Sequence, residues 1–151
     1  GLMQALAHAA PDVPQDKYPE LGERYKYHYM RHQNDISLFK GVLPMLDDLR
    51  GRGHLLAVAT GKSRKGLDEV LHAVELKGVF HASRTAELGV APERVLMIGD
   101  TTHDLQLALN AGCASVGVSY GAHEPAAFDA LSPRFIAHSV AELHAWLLDH
   151  A

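Results

Sequence analysis

The chain has 151 residues, of which 47% are hydrophobic and 21% are charged, the proportions of an ordinary globular protein. It carries 14 Lys and Arg against 18 Asp and Glu, for a formal net charge of −4. A mildly acidic chain without a basic stripe argues against a nucleic-acid binder. No apolar run approaches the roughly 18 residues of a membrane-spanning helix, so we expect neither nucleic acid nor a membrane as a partner.

The N-terminal residues and the cysteine content both indicate the reducing cytoplasm. Residues 1–17 lack the basic segment followed by an apolar core that marks a signal peptide. Cys113 is the single cysteine, which rules out an internal disulfide and a cysteine-based zinc site. We therefore expect a cytoplasmic protein.

Residues 1–40 are polar and show helical spacing after three early prolines. Tyr25, His28 and His32 recur at that spacing within the Tyr-rich segment 24–32, which predicts an amphipathic helix. Two interpretations stay open: the tyrosines pack on a neighbouring element, or the helix is a lid that offers Tyr, His or Arg to an anionic substrate. The two histidines lack the Glu of an HExxH metal motif, and we interpret all 11 histidines as surface and cap residues.

From Gly41 onward the pattern alternates between helix and strand. A helix is predicted over 43–51, where a proline suits the first turn and glycines end it. The continuous apolar run HLLAVAT (54–60) is typical of a buried parallel strand. Ser63 can cap a helix over 64–75.

The second half of the chain continues the alternation, which predicts an α/β fold with a mostly parallel sheet. Its elements are a second buried strand over 94–100, a helix over 103–110, a strand over 113–119, a short helix from Pro125, an edge strand over 134–138 and a helix over 140–150 with a Ser139–Glu142 capping box.

One connection is too short for this fold. The apparent strands over 79–82 and 94–98 would be parallel neighbours, and a parallel connection needs a crossover of a dozen or more residues. Only about ten residues separate them, and these include a Gly and a Pro. We therefore expect a strand end, a loop and most of a helix to be missing near residues 84–87.

Ligand sites in open α/β sheets lie outside the carboxyl ends of the strands. Thr60 and Gly61 end the first predicted strand, where they offer a hydroxyl and backbone N–H groups to an anion near a helix N-terminus. A P-loop is excluded because the glycine required five residues before Gly61 is Leu56. An ordinary polar turn is the alternative for this segment.

Asp100 directly follows the second apolar strand, and Asp104 lies four residues later. Two carboxylates at the end of a strand suit Mg²⁺, which takes one or two of them and keeps waters and a substrate phosphate as further ligands. Asp104 could instead cap the helix, a role that Thr101 or Thr102 could also fill. Capping does not explain Asp100, which follows four apolar residues.

Together these segments resemble the haloacid-dehalogenase-like hydrolase superfamily, and most of all its phosphoglycolate phosphatase-like branch. VLMIGDTTHDLQLALNAG (95–112) is similar to the fourth motif of that family, GDxxxD, and 41–71 to the approach to its second motif, with Thr60 as the hydroxyl residue. The resemblance implies a Rossmann-like three-layer α/β/α core with a mostly parallel sheet over 41–151. It assigns residues 1–40 to part of a helical cap and its return to the core.

The resemblance also implies roles for four residues. Thr60 and the Gly61 N–H would hold the phosphoryl group, and Asp100 would ligate Mg²⁺. Asp104 would act on the metal through water or an ordering hydrogen bond. Family members use an aspartate nucleophile that forms an aspartyl-phosphate, which water then hydrolyses. We thus expect a Mg²⁺-dependent phosphatase of a small phosphorylated metabolite similar to phosphoglycolate.

Two family motifs are absent from these residues. No DxD, the core of the first motif and the source of the nucleophile, occurs anywhere in the sequence. The third-motif Lys is also missing, because Lys77 precedes the strand it should follow, and Lys62 and Lys65 follow Thr60 too closely. We expect both catalytic residues in segments outside these 151 residues.

Three alternatives remain open. A phosphosugar mutase of the same family would use the same chemistry, and the core motifs do not separate it from a phosphatase. Haloacid dehalogenation is a weaker alternative because it needs no metal. If the chain truly lacks a nucleophile, it would be a non-catalytic module that binds a phosphate or a partner protein. The oligomeric state is open, since no sustained heptad pattern appears.

Overall fold

The described residues of the chain form two compact units that divide between Ser37 and Leu38. The predicted cap residue Ser63 and the predicted short connection at 84–87 lie outside the described residues. The computed structural model describes residues 2–32, 37–62, 64–82, 89–122 and 124–151.

From residue 94 onward the helices and strands follow the predicted alternation, whereas among the described residues no strand separates the helices predicted over 43–51 and 64–75. The helices are α1 (Leu2–Ala9), α2 (Tyr18–His32), α3 (Val42–Gly51), α4 (Arg64–Ala73), α5 (Thr102–Ala111) and α6 (Val140–His150), and the strands are β1 (Leu96–Gly99), β2 (Ala114–Val118) and β3 (Phe135–Ala137). Short 3₁₀ turns cover Gln15–Lys17, Pro92–Arg94 and Pro125–Leu131.

The first unit pairs α1 with α2. Tyr18, at the start of α2, is buried, and its hydroxyl donates to the carbonyl of Ala10 at 3.5 Å. Further along the helix, Tyr25 and Tyr27 are 51% and 58% exposed. Within the first unit, α1 therefore leaves these two tyrosines uncovered, and both interpretations of the tyrosine stripe stay open.

The second unit contains a parallel sheet in the order β1-β2-β3. Helix α5 forms the crossover from β1 to β2, and it ends as predicted at Gly112, whose φ of 69° lies in the left-handed region that favours glycine. The central strand β2 is buried. In the described sheet β3 pairs with β2 alone, so the prediction of an edge strand is confirmed.

Helices cover the sheet on both faces. Successive side chains of β2 point to opposite faces, and each face is packed against other elements. Val116 and Val118 pack against α3 and α6, whereas Gly117 faces Phe128, which is fully buried. This arrangement is the expected α/β/α layering. The cluster between the sheet and α3/α6 consists of Met45, Leu49, Val116, Val118, Ala137, Val140, Leu143 and Leu147.

The predicted buried strand over 54–60 is wrong in its extent and burial. Only Ala57 pairs, in a single parallel bridge with Ala82, and Leu55 is 51% exposed. A strand that is buried on both faces needs neighbours along its length, and the described residues supply this segment with one bridge. The parallel direction of the pairing agrees with the prediction.

Two smaller predictions are refined. Ser139 caps α6 by accepting the Glu142 N–H at 3.1 Å, but the Glu142 carboxylate accepts from the His138 N–H rather than from Ser139. Burial raises the pKa of the partly buried Cys113 thiol, as suits an apolar role after the helix. Among the described residues, no helix combines the length and the hydropathy needed to span a membrane.

Candidate active site at the carboxyl ends of the strands

A polar residue follows each of the three strands at the same edge of the sheet. Asp100 follows β1, Ser119 follows β2 and His138 follows β3. Because the strands are parallel, their carboxyl ends meet at one edge, which is where open α/β sheets bind ligands. The predicted pair, Asp100 and Asp104, thus belongs to a larger polar edge.

Asp104 is held by the residue that begins its own helix. Its Oδ2 accepts from the Thr101 N–H at 3.1 Å and from the Thr101 hydroxyl at 2.8 Å, while its own N–H donates to that hydroxyl oxygen at 3.3 Å. This is a complete capping box. The alternative that Asp104 caps the helix therefore accounts for the hydrogen bonds of one of its two carboxylate oxygens, Oδ2.

Asp104 also depends on the glycine of the GDxxxD segment. A Cβ added at Gly99 would lie 2.7 Å from the Asp104 Cγ and 2.8 Å from its Oδ2, closer than real carbon contacts allow. Gly99 leaves the space in which the carboxylate turns back over the end of β1.

Asp100 is held from outside its own segment. Its Oδ2 accepts from the backbone N–H of Ala122 at 2.9 Å. Gly121 lies so close that an added Cβ would be 2.6 Å from the Asp100 Cγ. The loop over 119–122, which follows β2, thereby fixes one carboxylate oxygen and leaves the other, Oδ1, outside this bond.

Thr60 and Gly61 lie at the exposed end of the 54–60 segment. The Thr60 hydroxyl accepts the Lys62 N–H at 3.2 Å, and the space around Gly61 is open to 4 Å. The hydrogen bonds of the described residues join neither Thr60 nor Gly61 to the two carboxylates. The local geometry therefore leaves both interpretations of this segment open: an anion-binding site and an ordinary polar turn.

Asp100 and Asp104 suit an open Mg²⁺ site better than they suit a metal site enclosed by protein ligands. Nowhere in the described parts of the chain do three or more His, Cys, Asp or Glu side chains gather around a point that could hold a metal. Mg²⁺ does not require such a cage, since it binds one or two carboxylates and completes its shell with waters and phosphate oxygens. The absence of a side chain at Gly99 and at Gly121 leaves the space that the carboxylates of Asp104 and Asp100 occupy.

A cleft of about 460 Å³ lies elsewhere in the second unit, beside α4, and is lined by Val58, Arg64 and Lys77 among others. It includes none of the four predicted site residues. The strand ends are the stronger candidate site, because hydrogen bonds there hold two carboxylates and carboxylates are common ligands of Mg²⁺.

Sequence reasoning missed Gly121 and Ala122. A signal was available: SYGA (119–122) follows a predicted strand at the same sheet edge as Asp100, so the strand-end rule applies to it as well. The contact itself was not visible in the sequence, because a whole helix and a strand separate Asp100 from Ala122.

The fold and this polar edge define an α/β protein with a candidate ligand site at the carboxyl ends of its strands, and comparison with known proteins names the family. The model of the haloacid dehalogenase-like hydrolase family matches residues 3–87, and a second model, described as HAD-hydrolase-like, matches residues 76–143. The chain belongs to the haloacid dehalogenase-like hydrolase family, and the resemblance drawn from its motifs is confirmed.

Similar proteins of known name point to one branch. The chain is 29% identical to a phosphoglycolate phosphatase from Pasteurella multocida, over 80% of this chain and 62% of that protein. It is 25% identical to a phosphoglycolate phosphatase from Mannheimia succiniciproducens, over 78% of this chain and 61% of the relative. A haloacid dehalogenase-like family hydrolase from Streptococcus pneumoniae shares the fold, with a TM-score of 0.84 at 21% identity over 97% of this chain and 76% of the other.

The chain spans about three fifths of the length of these two curated relatives. The first alignment runs over 139 residues although it covers only 80% of this 151-residue chain. The relative therefore carries positions within the aligned region that have no counterpart here. The sequence predicts such a shortfall at the connection near residues 84–87.

Proposed function

We propose that this chain is part of a Mg²⁺-dependent phosphatase that hydrolyses a small phosphorylated metabolite, with phosphoglycolate as the first candidate. The observation that carries the proposal is the pair of carboxylates in the GDxxxD segment, each held by hydrogen bonds at the carboxyl end of β1. The names of the two similar phosphoglycolate phosphatases support the substrate class.

Four residues have proposed roles at this edge. Asp100 would bind Mg²⁺ through an oxygen that the loop leaves accessible, and Asp104 would order the end of β1 and act on the metal through water. Thr60 and the Gly61 N–H would bind the phosphoryl oxygens. When bound, Mg²⁺ offsets the negative charge of the phosphate and of the carboxylates.

The nucleophile and the Lys belong, in this proposal, to segments outside these 151 residues. An aspartate oxygen would attack phosphorus and expel the alcohol of the substrate, and water would then attack the aspartyl-phosphate and release phosphate. We assign the first unit to part of the cap that selects the substrate. We also propose a cytoplasmic location.

The test uses the full-length protein with Asp100→Asn, and Asp149→Asn as a matched control at an exposed position of α6. Phosphate release from phosphoglycolate and from an aryl phosphate is measured with and without Mg²⁺. We expect wild type and Asp149→Asn to require Mg²⁺, and Asp100→Asn to lose nearly all turnover, because a neutral amide binds Mg²⁺ poorly.

Full activity of Asp100→Asn would overturn the proposal. Conversion of a sugar phosphate into its isomer without release of phosphate would identify the mutase instead. Failure of the wild-type protein to turn over any phosphoester, together with retained phosphate binding, would identify the non-catalytic module.

A further inference from the structure

We propose that the loop over 119–122 is the positioning element for Asp100, and that Gly121 and the Ala122 N–H thereby set the affinity of the site for Mg²⁺. This inference rests on the proposed function, because it assumes that Asp100 is a metal ligand. Neither residue belongs to the GDxxxD segment, and the loop follows a different strand.

Gly121 lies in close contact with Asp100. A Cβ at position 121 would lie 2.6 Å from the Asp100 Cγ, and its nearest carboxylate contact would be with Oδ2. Oδ2 is also the oxygen that accepts the Ala122 N–H at 2.9 Å. The loop thus touches Asp100 on the side of one oxygen, which directs the other away from the loop.

Hydrogen bonds and a ring contact fix the first two residues of the loop. The Ser119 N–H donates to the Ala137 carbonyl at 3.0 Å, and the Ser119 hydroxyl forms a hydrogen bond with His138 Nδ1 at 2.7 Å. The ring of Tyr120 meets that of Phe39 edge to face, with centroids 5.2 Å apart. Since these contacts resist movement of the loop, a side chain added at Gly121 must displace the Asp100 carboxylate.

Alanine at position 121 would act on the Asp100 side chain and not on the conformation of the loop backbone. Gly121 is not among the glycines with positive φ, unlike Gly89 and Gly112, so alanine meets no strain of the left-handed backbone there. Its expected effect therefore comes from contact with Asp100. Gly117 offers a matched control, because its φ is also ordinary but an added Cβ would meet Phe128 at 2.8 Å, in the core.

The experiment compares Gly121→Ala, Gly117→Ala and Asp100→Asn in the full-length protein. Mg²⁺ alone is titrated by calorimetry, and thermal unfolding is recorded without metal. We expect Gly121→Ala to weaken Mg²⁺ binding by about tenfold or more, the usual effect of losing a partner that orients a ligand. Gly117→Ala should lower the melting temperature and leave the Mg²⁺ dissociation constant of the folded protein unchanged.

A second pair of variants tests the N–H donor. Ala122→Pro removes the N–H that Oδ2 accepts, whereas Ala122→Ser keeps it. We expect weaker Mg²⁺ binding for proline and wild-type binding for serine. In turnover assays Gly121→Ala should need more Mg²⁺ for half-maximal rate and approach the wild-type kcat at saturating Mg²⁺.

The two levels of the proposal fail in different ways. If wild type does not bind Mg²⁺, or Asp100→Asn binds it as wild type does, the proposed function is overturned. If wild type binds Mg²⁺, Asp100→Asn does not, and Gly121→Ala binds as wild type does, the proposed role of the loop alone is overturned.

Discussion

At the scale of single residues, Asp100 and Asp104 are four positions apart and yet are held by different means. Asp104 Oδ2 takes both of its hydrogen bonds from Thr101, three residues earlier. Asp100 Oδ2 takes its bond from Ala122, on the loop beyond the next strand. The position of Asp104 is therefore a local property of the helix start, whereas that of Asp100 depends on the tertiary fold.

Removing the capping hydroxyl should destabilise the start of α5. Thr101→Val keeps the shape and the backbone N–H of Thr101 but removes its two hydroxyl-mediated bonds with Asp104. We expect the free energy of unfolding to fall by about 1 kcal/mol, the typical worth of an N-cap side chain. Urea denaturation measures the change, and Thr101→Ser, which restores the hydroxyl, should recover most of it. Equal stability of the valine variant and wild type would show that the Thr101 hydroxyl contributes nothing to the stability of the helix start.

At the scale of elements, α5 shows how far an apolar pattern predicts burial. Leu105 and Ala108 are fully buried, but Leu107 and Leu109 are 51% and 58% exposed. Only one stripe of a helix faces the sheet, and a stretch with nearly continuous apolar residues does not show which stripe that is. The packing of α5 against β1 and β2 decides it.

Two alanine substitutions on α5 should differ sharply. Leu105 is 0% exposed, and its truncation should lower the free energy of unfolding by about 2–5 kcal/mol, because it leaves a cavity in the core. Leu109 is 58% exposed, and its truncation should change stability by only about 0.5 kcal/mol or less. Chemical denaturation of both variants tests the assignment, which equal effects would contradict.

Two predictions of a buried strand failed for a related reason. The 54–60 segment has the composition of a buried strand, but burial comes from neighbours, and one bridge to Ala82 does not supply them. Similarly, Ile98 of β1 is 38% exposed although its strand was expected to be buried. In contrast β2, which has a partner on each side, is buried.

At the scale of the whole molecule, the short connection and the absent motifs make one prediction about chain length. The denatured natural polypeptide should have an intact mass above 16.4 kDa, because a parallel crossover needs more residues than those between 82 and 94. Mass spectrometry of the protein purified from its native source measures it. A mass of 16.4 kDa would mean that nucleophile and Lys are truly lacking, and would favour binding over catalysis.

The amino-acid sequence was sufficient for the helices, for the order of helices and strands from residue 94 onward, for the family resemblance and for the choice of two carboxylates as candidate site residues. These features depend on short-range causes: the period of apolar residues, capping residues at helix ends and a compact motif. Gly112 ends α5 as predicted, for instance, because a left-handed residue at that place favours glycine.

The tertiary structure alone decided which apolar residues are buried and what holds Asp100. Gly121 and Ala122 meet the Asp100 carboxylate because β1 and β2 pair in parallel and bring their carboxyl ends to one edge. No periodicity along the chain encodes a contact between residues separated by a helix and a strand. Such a contact arises when the sheet forms, and the placement of the Asp100 carboxylate depends on it.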